Sequence, residues 1–401
     1  MRIVPDSTRS AHAVLRAVRG CLAEIPDGLV MVACSGGADS LALAAALADA
    51  ARQTARPAGA IIVDHHLQVD SATVANRAAQ QCRSLGLAPV GVVEAHVGEG
   101  PGPEAAARSA RYQVLEAQAR SSGAVAVLLG HSLDDQAETV LLGLNRGSGT
   151  RALAGMPAHR GLYRRPLLGL RRATMAQACE HWALSAWHDP HNQDQRYRRV
   201  RVRENVLPQL EREIGPGIVP ALARTALLAR ADADALDFLA GERWELLRAD
   251  SQSGLAVAAL AELPQALRTR IVRLWLIESA AAWDVGSGRP EPRDVADRTL
   301  HPTALTSHHL LSIDRLIADW RGQGALALPG GLAVGRQGGR LRVAVTVREP
   351  GNLAKPRSPS PGAKAPRRAA TQLAATLPPT KPSTQSSRTS QPPTREACDG
   401  R

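Results

Sequence analysis

The sequence predicts an α/β fold: a parallel sheet with helices on both faces, followed by a mainly helical smaller domain and a disordered C-terminal tail. Three observations predict it. Short apolar runs alternate with helix-forming segments over the first third of the chain, which is the pattern of a parallel sheet. From about residue 216 to 280 the pattern turns helical and rich in Leu, Ala and Arg. Residues 351–401 contain no aromatic residue and are dominated by Pro, Ser, Thr and Ala, so they bury too little apolar surface to offset ordering entropy.

The strands come in order as LVMVAC (29–34), GAIIVD (59–64), PVGVVEA (89–95) and AVAVLLG (124–130). Each is a short apolar run bounded by turn residues, as a buried parallel strand is. The stretch at 41–50 after the first run has strong helix-forming composition. Ligands of such sheets bind beyond the carboxyl ends of the strands. Three polar clusters follow those ends: SGGADS at 35–40, DHHLQVD at 64–70 and GHSLDDQAET at 130–139. Further on, LRTRIVRLWLIE (267–278) puts Ile271, Leu274 and Trp275 on one helical face, with Arg268, Arg270 and Arg273 largely elsewhere, facing solvent or RNA phosphate. The glycine pairs in 324–345 predict a small closing hairpin.

Charge and cysteine content narrow the function classes. The chain carries a formal +12, but the tail holds nine Lys or Arg against two acids, so the remaining 350 residues carry only +5. The tail is therefore either a non-specific attractor of RNA and acidic surfaces or a solubilising extension. Five cysteines with no CxxC spacing imply neither a disulfide framework nor a zinc knuckle. No signal-like start and no run of 18 apolar residues occur, so no membrane partner and a reducing cytoplasm are expected.

The turn at 35–40 joins a strand to a helix, a place where backbone N–H groups face an anion and Gly36 and Gly37 allow close approach. A Walker loop needs lysine and a hydroxyl after its last glycine, whereas this chain reads Gly37, Ala38, Asp39, Ser40. The turn is thus either an anion cradle of another kind or an ordinary turn capped by Ser35, Asp39 or Ser40. In the cluster at 130–150, a helix starting near Asp134 sets Asp135 and Glu138 on one face and turns Leu141, Leu142 and Leu144 to the sheet. These acids suit catalysis, or they complement the helix dipole, with Ser132 and Asp135 as a weak capping box. RYRRVRVR (196–203) puts Arg196, Arg199 and Arg203 on one helical face, to grip phosphates or to pair with Glu204, Glu211 and Glu213. A helical block holds Glu104, Arg108, Arg111 and Tyr112, where Glu104 and Arg108 form an intrahelical pair and Arg111 and Tyr112 reach RNA or nucleotide.

Six ordered blocks, SGGADS (35–40), VDHHL (63–67), PEAAARSARY (103–112), GHSLDDQAETVLLGLNRGSG (130–149), RRPLL (164–168) and WHDPHNQDQRYRRVRVRENVLPQL (187–210), resemble the tRNA(Ile)-lysidine synthases of the N-type ATP pyrophosphatase (PP-loop) superfamily. The likeness spans roughly residues 25–347. It implies a PP-loop, adenine nucleotide alpha hydrolase-like sheet. It also implies ATP-dependent ligation of L-lysine to the wobble cytidine of isoleucine tRNA with a CAU anticodon, through adenylation of the cytidine 2-oxo group, with AMP and pyrophosphate released. By the same resemblance Ser35, Gly36, Gly37, Ala38, Asp39 and Ser40 wrap the triphosphate, and Val63 and His131 contact the nucleotide. Asp39 and Asp135 are then the catalytic residues, Asp39 contacting Mg²⁺ and Asp135 helping to hold the metal or orienting the cytidine; a pocket for an ammonium-bearing amino acid calls for an acid, and Glu138 is the candidate. Arg108, Arg111, Tyr112, Arg146, Arg196, Arg199 and Arg203 bind RNA or substrate, and a homodimer fits the family. The resulting division is 1–24 as helical lead-in, 25–215 as the PP-loop ATP-binding catalytic domain, 216–350 as the tRNA-binding domain and 351–401 as tail.

The chain departs from the family pattern where His66 stands for the glycine of VDHGL and where Val200 stands for the asparagine of RNRIR. Histidines 65, 66, 181, 188 and 191 as metal ligands, and Cys34 as a reactive thiol, are the competing local readings. A PP-loop tRNA thiolase and a non-catalytic nucleotide- or RNA-binding module are the alternative functions. Thiolases with an iron–sulfur cluster need grouped cysteines that this sequence lacks.

Overall fold

The computed structural model describes residues 5–64, 70–95, 103–145, 147, 149–187, 189, 193–286 and 305–345. By internal contacts the chain divides into Met1–Arg348 and Glu349–Arg401. The expected tail lies outside the described residues.

Four parallel strands, β1 (Val30–Ala33), β2 (Ala58–Asp64), β3 (Val90–Glu94) and β4 (Ala126–Leu129), form the body of a six-stranded sheet of order β3-β2-β1-β4-β6-β5. Their side chains alternate between two apolar layers. Val30, Val32, Ala60, Ile62 and Leu128 pack with helices α1 (Asp6–Ala23), α2 (Ala38–Thr54), α3 (Ser71–Ser84) and, further along the chain, α7 (Arg172–His181). Met31, Ile61 and Val127 pack with Leu115 and Ala119 of α4 (Pro103–Ser121). Burial on both faces is why these runs are continuously apolar rather than alternating. The edge strands β5 (His159–Arg160) and β6 (Tyr163–Arg164) escaped the sequence reading because HRGLYR has no apolar run. β6 pairs parallel to β4, and β5 closes the edge antiparallel to β6.

After β4 come α5 (Leu133–Asn145), the single turn α6 (Thr150–Leu153) and then α7; α8 (Arg198–Arg201) runs through a π-helical turn at Val202–Val206 into α9 (Leu207–Glu213). The 31-residue α10 (Ile218–Arg248) lies against α5, α6 and α12 (Gln265–Gly286). Around α12 and α13 (Ser307–Ala318) gather the turn α11 (Val257–Ala261) and an antiparallel sheet of order β7-β10-β9-β8, with β7 (Leu255–Ala256), β8 (Leu326–Leu328), β9 (Leu332–Gln337) and β10 (Arg340–Val345). The expected hairpin is β9–β10, turning on Gly338 and Gly339 at φ +57° and +73°, the left-handed pair a two-residue hairpin loop requires.

Ile271 and Trp275 are buried in this second core, as the helical spacing predicts. The arginines beside them are not left to solvent or RNA. Arg268 donates to Asp314 at 2.7 Å and 3.1 Å, with Gln265 adding a 2.8 Å bond to the same carboxylate, and Arg270 meets Asp237 at 2.7 Å. Asp314 is 4% exposed, so its charge requires that partner. Asp314→Ala, which strands Arg268, is expected to cost about 3 kcal/mol, read as a lowered urea midpoint at unchanged m-value.

Candidate active site

The turn after β1 is held open by its own hydrogen bonds. Gly36 takes φ +84°, its carbonyl accepts from Trp187 N at 2.9 Å, and Cys34 N donates to Ile61 O at 2.9 Å. α2 then starts at Ala38 with Gly37 as N-cap and no side-chain cap. Ser40 is turned inward instead, donating to Gly37 O at 3.0 Å and accepting from Ser35 N at 3.1 Å. None of the hydroxyl or carboxylate caps that an ordinary turn would use is made. The first-turn amides of a 17-residue helix therefore face outward at its positive end, which is an anion-binding arrangement. Ser35, Gly37, Ala38, Asp39 and Ser40 line a cavity of about 860 Å³; Gly36 shapes the turn behind them. A Cβ on Gly130, at the end of β4, would lie 3.1 Å from the Asp39 backbone, so the strand end and the loop abut.

Asp39 and Asp135 reach this cavity from α2 and α5. Ser132 donates to Asp135 Oδ2 from both its N–H and its hydroxyl at 2.8 Å, and Asp135 N donates back to the hydroxyl at 3.2 Å, completing the capping pattern. Arg172 Nη2 stands 2.8 Å from Asp135 Oδ1 and 3.3 Å from Glu138 Oε1, with Nε 3.6 Å from Asp39 Oδ2. Arg203 grips the fully buried Glu138 at 2.8 Å and 3.3 Å. Burial pushes the Asp39 carboxyl up to about 7, with Asp135 adding and Arg172 opposing. Burial also raises Asp135, but Arg172 and the Ser132 bonds outweigh it and hold that carboxyl below the usual range. Asp39 Oδ1 is buried without a hydrogen-bond partner.

Cationic side chains form another part of this cavity's wall. Arg108, Arg111 and Arg199 line it with Tyr112, whose ring lies 5.1 Å from the Arg108 guanidinium and packs edge-on against Tyr163 at 5.0 Å. Burial and the neighbouring Arg108 depress the Arg111 pKa. Such a wall favours an anionic ligand. His131 lines the same cavity; burial drives its imidazole down to about 3 despite nearby Asp135, so it is neutral, and its Nδ1 is buried without a partner. Val63 lines the same cavity.

Other expectations fare differently. α8 begins only at Arg198, so Arg196 lies outside it, exposed and forked onto Asp194 at 2.9 Å and 2.7 Å. Arg199 and Arg203 do reach the cavity, and Val200 between them is buried, an apolar position that asks for no hydrogen bond. The acids expected to pair with this arginine run include Glu211, which accepts from Gly217 N at 2.7 Å and Val219 N at 3.3 Å at the start of α10. Leu144 is 62% exposed rather than turned to the sheet, because α5 buries the face bearing Asp135 and Glu138 instead. Arg146, His65, His66, His188, His191 and the Glu104 side chain lie outside the described residues. Cys34 is a buried thiol 3.7 Å from Ser40 Oγ.

Asp64, the first residue of the second polar cluster, lines the cavity as the strand-end rule predicts, whereas Arg172 and Trp187 were given no role at the site by sequence reasoning. Arg172 is fixed at the start of α7 by Asp134, which accepts its N–H at 2.8 Å. No spacing rule links residue 172 to residue 135. A second cavity, of about 450 Å³, lies behind the ion cluster; Glu138, Arg172 and Arg203 form its wall, and Leu207, Pro208 and Glu211 line it. Arg172 and Arg203 border both cavities.

Among the described residues no three His, Cys, Asp or Glu side chains form a metal cage. Two carboxylates, one with an orphaned buried oxygen, fit Mg²⁺, which takes few protein ligands and completes its shell with water and phosphate.

The PP-loop domain family matches residues 10–210 of this chain. Among curated proteins, the tRNA(Ile)-lysidine synthase of Salinispora arenicola is 48% identical over 337 residues, covering 82% of this chain and 95% of its own length. That of Streptomyces coelicolor is 49% identical over 316 residues, covering 78% and 84%. The Thermobifida fusca protein of the same name is 47% identical over 331 residues, covering 82% and 96%.

The raised Asp39 pKa fixes a pH signature for the ligand-free protein. Between its ordinary value of 3.8 and about 7 the folded chain holds a proton that the unfolded chain has lost, so stability falls as pH rises through that window. Asp39→Asn removes this slope. Its melting temperature is expected to exceed that of the wild type modestly at about pH 5 and by about three times as much in free-energy terms at about pH 8. Scanning fluorimetry across the window checks this, and a parallel pair of curves contradicts it.

Proposed function

The chain belongs to the tRNA(Ile)-lysidine synthase family of PP-loop proteins, and we propose from that membership that it ligates lysine to the wobble cytidine of isoleucine tRNA with a CAU anticodon, consuming ATP. The observation that carries the reading is one cavity lined together by the uncapped start of α2, by Asp39 and Asp135, and by Arg108, Arg111 and Arg199. When bound, ATP with Mg²⁺ supplies an activated α-phosphorus, turning the cytidine 2-oxo group into a leaving group. The protein's part is placement. The turn of Ser35, Gly36, Gly37, Ala38, Asp39 and Ser40 takes the triphosphate, with no lysine to favour transfer of the outermost phosphoryl group. Asp39 and Asp135 hold the cation, neutral His131 and Val63 contact the nucleotide, and Arg108, Arg111, Arg199 and Tyr112 meet the anticodon nucleotide.

L-Lysine fits the second cavity. Its methylene chain suits Leu207 and Pro208, and its charged groups suit Glu138, Glu211 and Arg203, with Arg172 and Arg203 at the border shared with the first cavity, across which the lysine amine must reach the cytidine. In this reading residues 25–215 carry the chemistry and 216–350 bind the tRNA, and Arg146 and Arg196 contact RNA. No helix among the described residues is long and apolar enough to cross a membrane, which agrees with a cytoplasmic enzyme acting on tRNA. The exposed apolar stripe Leu227, Leu228, Phe238, Leu239 and Leu246 on α10 supports a homodimer.

Purified protein with ATP, Mg²⁺ and labelled lysine is expected to label isoleucine tRNA bearing CAU and to leave methionine tRNA with the same anticodon unlabelled. AMP and pyrophosphate should form together; ADP and orthophosphate as products would refute the reading. Asp39→Ala should lose AMP formation by about a hundredfold or more. Glu138→Gln should raise the KM for lysine about tenfold while tRNA-dependent pyrophosphate release persists, separating lysine selection from adenylation. Light scattering tests the dimer: Phe238→Lys is expected to give a monomer, and an unchanged mass argues that α10 is not the interface.

A further inference from the structure

Arg172 has no part in the scheme above, yet its guanidinium reaches more carboxylates than any other cation the described residues place at the cavity. One side chain spans Asp135 at 2.8 Å, Glu138 at 3.3 Å and Asp39 at 3.6 Å. Its backbone is pinned, since Arg172 N donates to Asp134 Oδ2, while its head lies at the cavity and is 31% exposed. The neighbouring bonds are arranged so that this head is dispensable to Glu138, which Arg203 already holds through both oxygens. Asp135 has Oδ2 committed to Ser132, leaving Oδ1 to Arg172, with Arg203 more distant at 3.7 Å. Asp39 meets Arg172 only through Oδ2 at 3.6 Å, and its Oδ1 is orphaned. The oxygens that Arg172 covers are thus those a divalent cation needs.

We infer that Arg172 is an exchangeable counter-ion, holding Asp39 and Asp135 together in the ligand-free site and giving up those oxygens when a divalent cation binds. The inference rests on the reading of Asp39 and Asp135 as the Mg²⁺ pair. The positive charge of Arg172, which unlike Arg203 reaches both Asp39 and Asp135 within 3.6 Å, offsets the mutual repulsion of those two carboxylates. The same charge opposes an incoming cation, so metal enters in exchange for the guanidinium.

The exchange predicts an unusual direction: deleting the arginine tightens metal binding. Mn²⁺ binding to the full-length protein without nucleotide, read from loss of the free-ion electron paramagnetic resonance signal, is expected to be about tenfold tighter in Arg172→Gln than in wild type, equivalent to about 1.4 kcal/mol. Without metal, Arg172→Gln should melt lower than wild type, and Mg²⁺ should raise its melting temperature by more. Arg172→Lys, which keeps the charge but cannot bridge the carboxylates, should fall between; if the glutamine variant does not fold without metal, the ordering of wild type and lysine variant carries the test. Equal or weaker Mn²⁺ binding in the variants, with Asp39→Asn still abolishing it in the wild type, overturns the counter-ion role and leaves the metal pair standing. Mn²⁺ binding indifferent to Asp39→Asn overturns the metal pair and the inference with it.

Discussion

The active rim depends on one charge balance struck away from bulk water. Asp39, Asp134, Asp135 and Glu138 face Arg171, Arg172 and Arg203, and each link joins segments far apart in sequence. Asp134 accepts the first amide of α7 and Glu138 anchors the π-turn that follows α8, so both helices take their position at the cavity from acids on α5. Glu138 has zero exposure and is gripped by Arg203 through both oxygens. Buried ion pairs contribute little net stability, because desolvation offsets most of the attraction. Here they specify arrangement.

That balance also accounts for a phosphate turn without lysine. In a Walker loop the cation sits at the start of the helix, directly on the phosphates. In this chain the equivalent turn of α2 bears Asp39, and Arg108, Arg111 and Arg199 from other elements bring positive charge to the same cavity. An acid at the positive end of a helix is favoured by the dipole, yet burial still pushes Asp39 up to about 7. The turn therefore contributes amides for phosphate and a carboxylate for a cation in adjacent residues, a combination that the Walker arrangement does not offer.

How far the sequence could be read follows from the range of each interaction. The four parallel strands and the clusters at their carboxyl ends were legible because burial on two faces writes continuous apolar runs, and because such sheets bind ligands at one edge. The helix faces were less so. Helical spacing put Leu144 against the sheet and Arg196 beside Arg199, but α5 turns its acids inward and α8 starts two residues after Arg196. A hydrophobic pattern cannot foresee a face made of charges that are neutralised from elsewhere. Arg172 was invisible for the same reason: its partners lie on α2 and α5, 133 and 37 positions away for Asp39 and Asp135. The strand pair at 159–164 was lost because an edge needs few apolar residues.

Gly130 carries a consequence for how the cavity behaves before any substrate arrives. With no side chain there, the end of the central strand touches the backbone of the phosphate turn directly. Two halves of the reaction centre, the anion cradle and the acid cluster that follows β4, are therefore braced against each other by main chain rather than by flexible rotamers. Little rearrangement is left for the incoming nucleotide to impose, so less of its affinity is spent on ordering the protein. A methyl group at that position would press on the Asp39 and Ser40 backbone at 3.1 Å, and the phosphate turn itself, not a side chain, would have to shift to admit it.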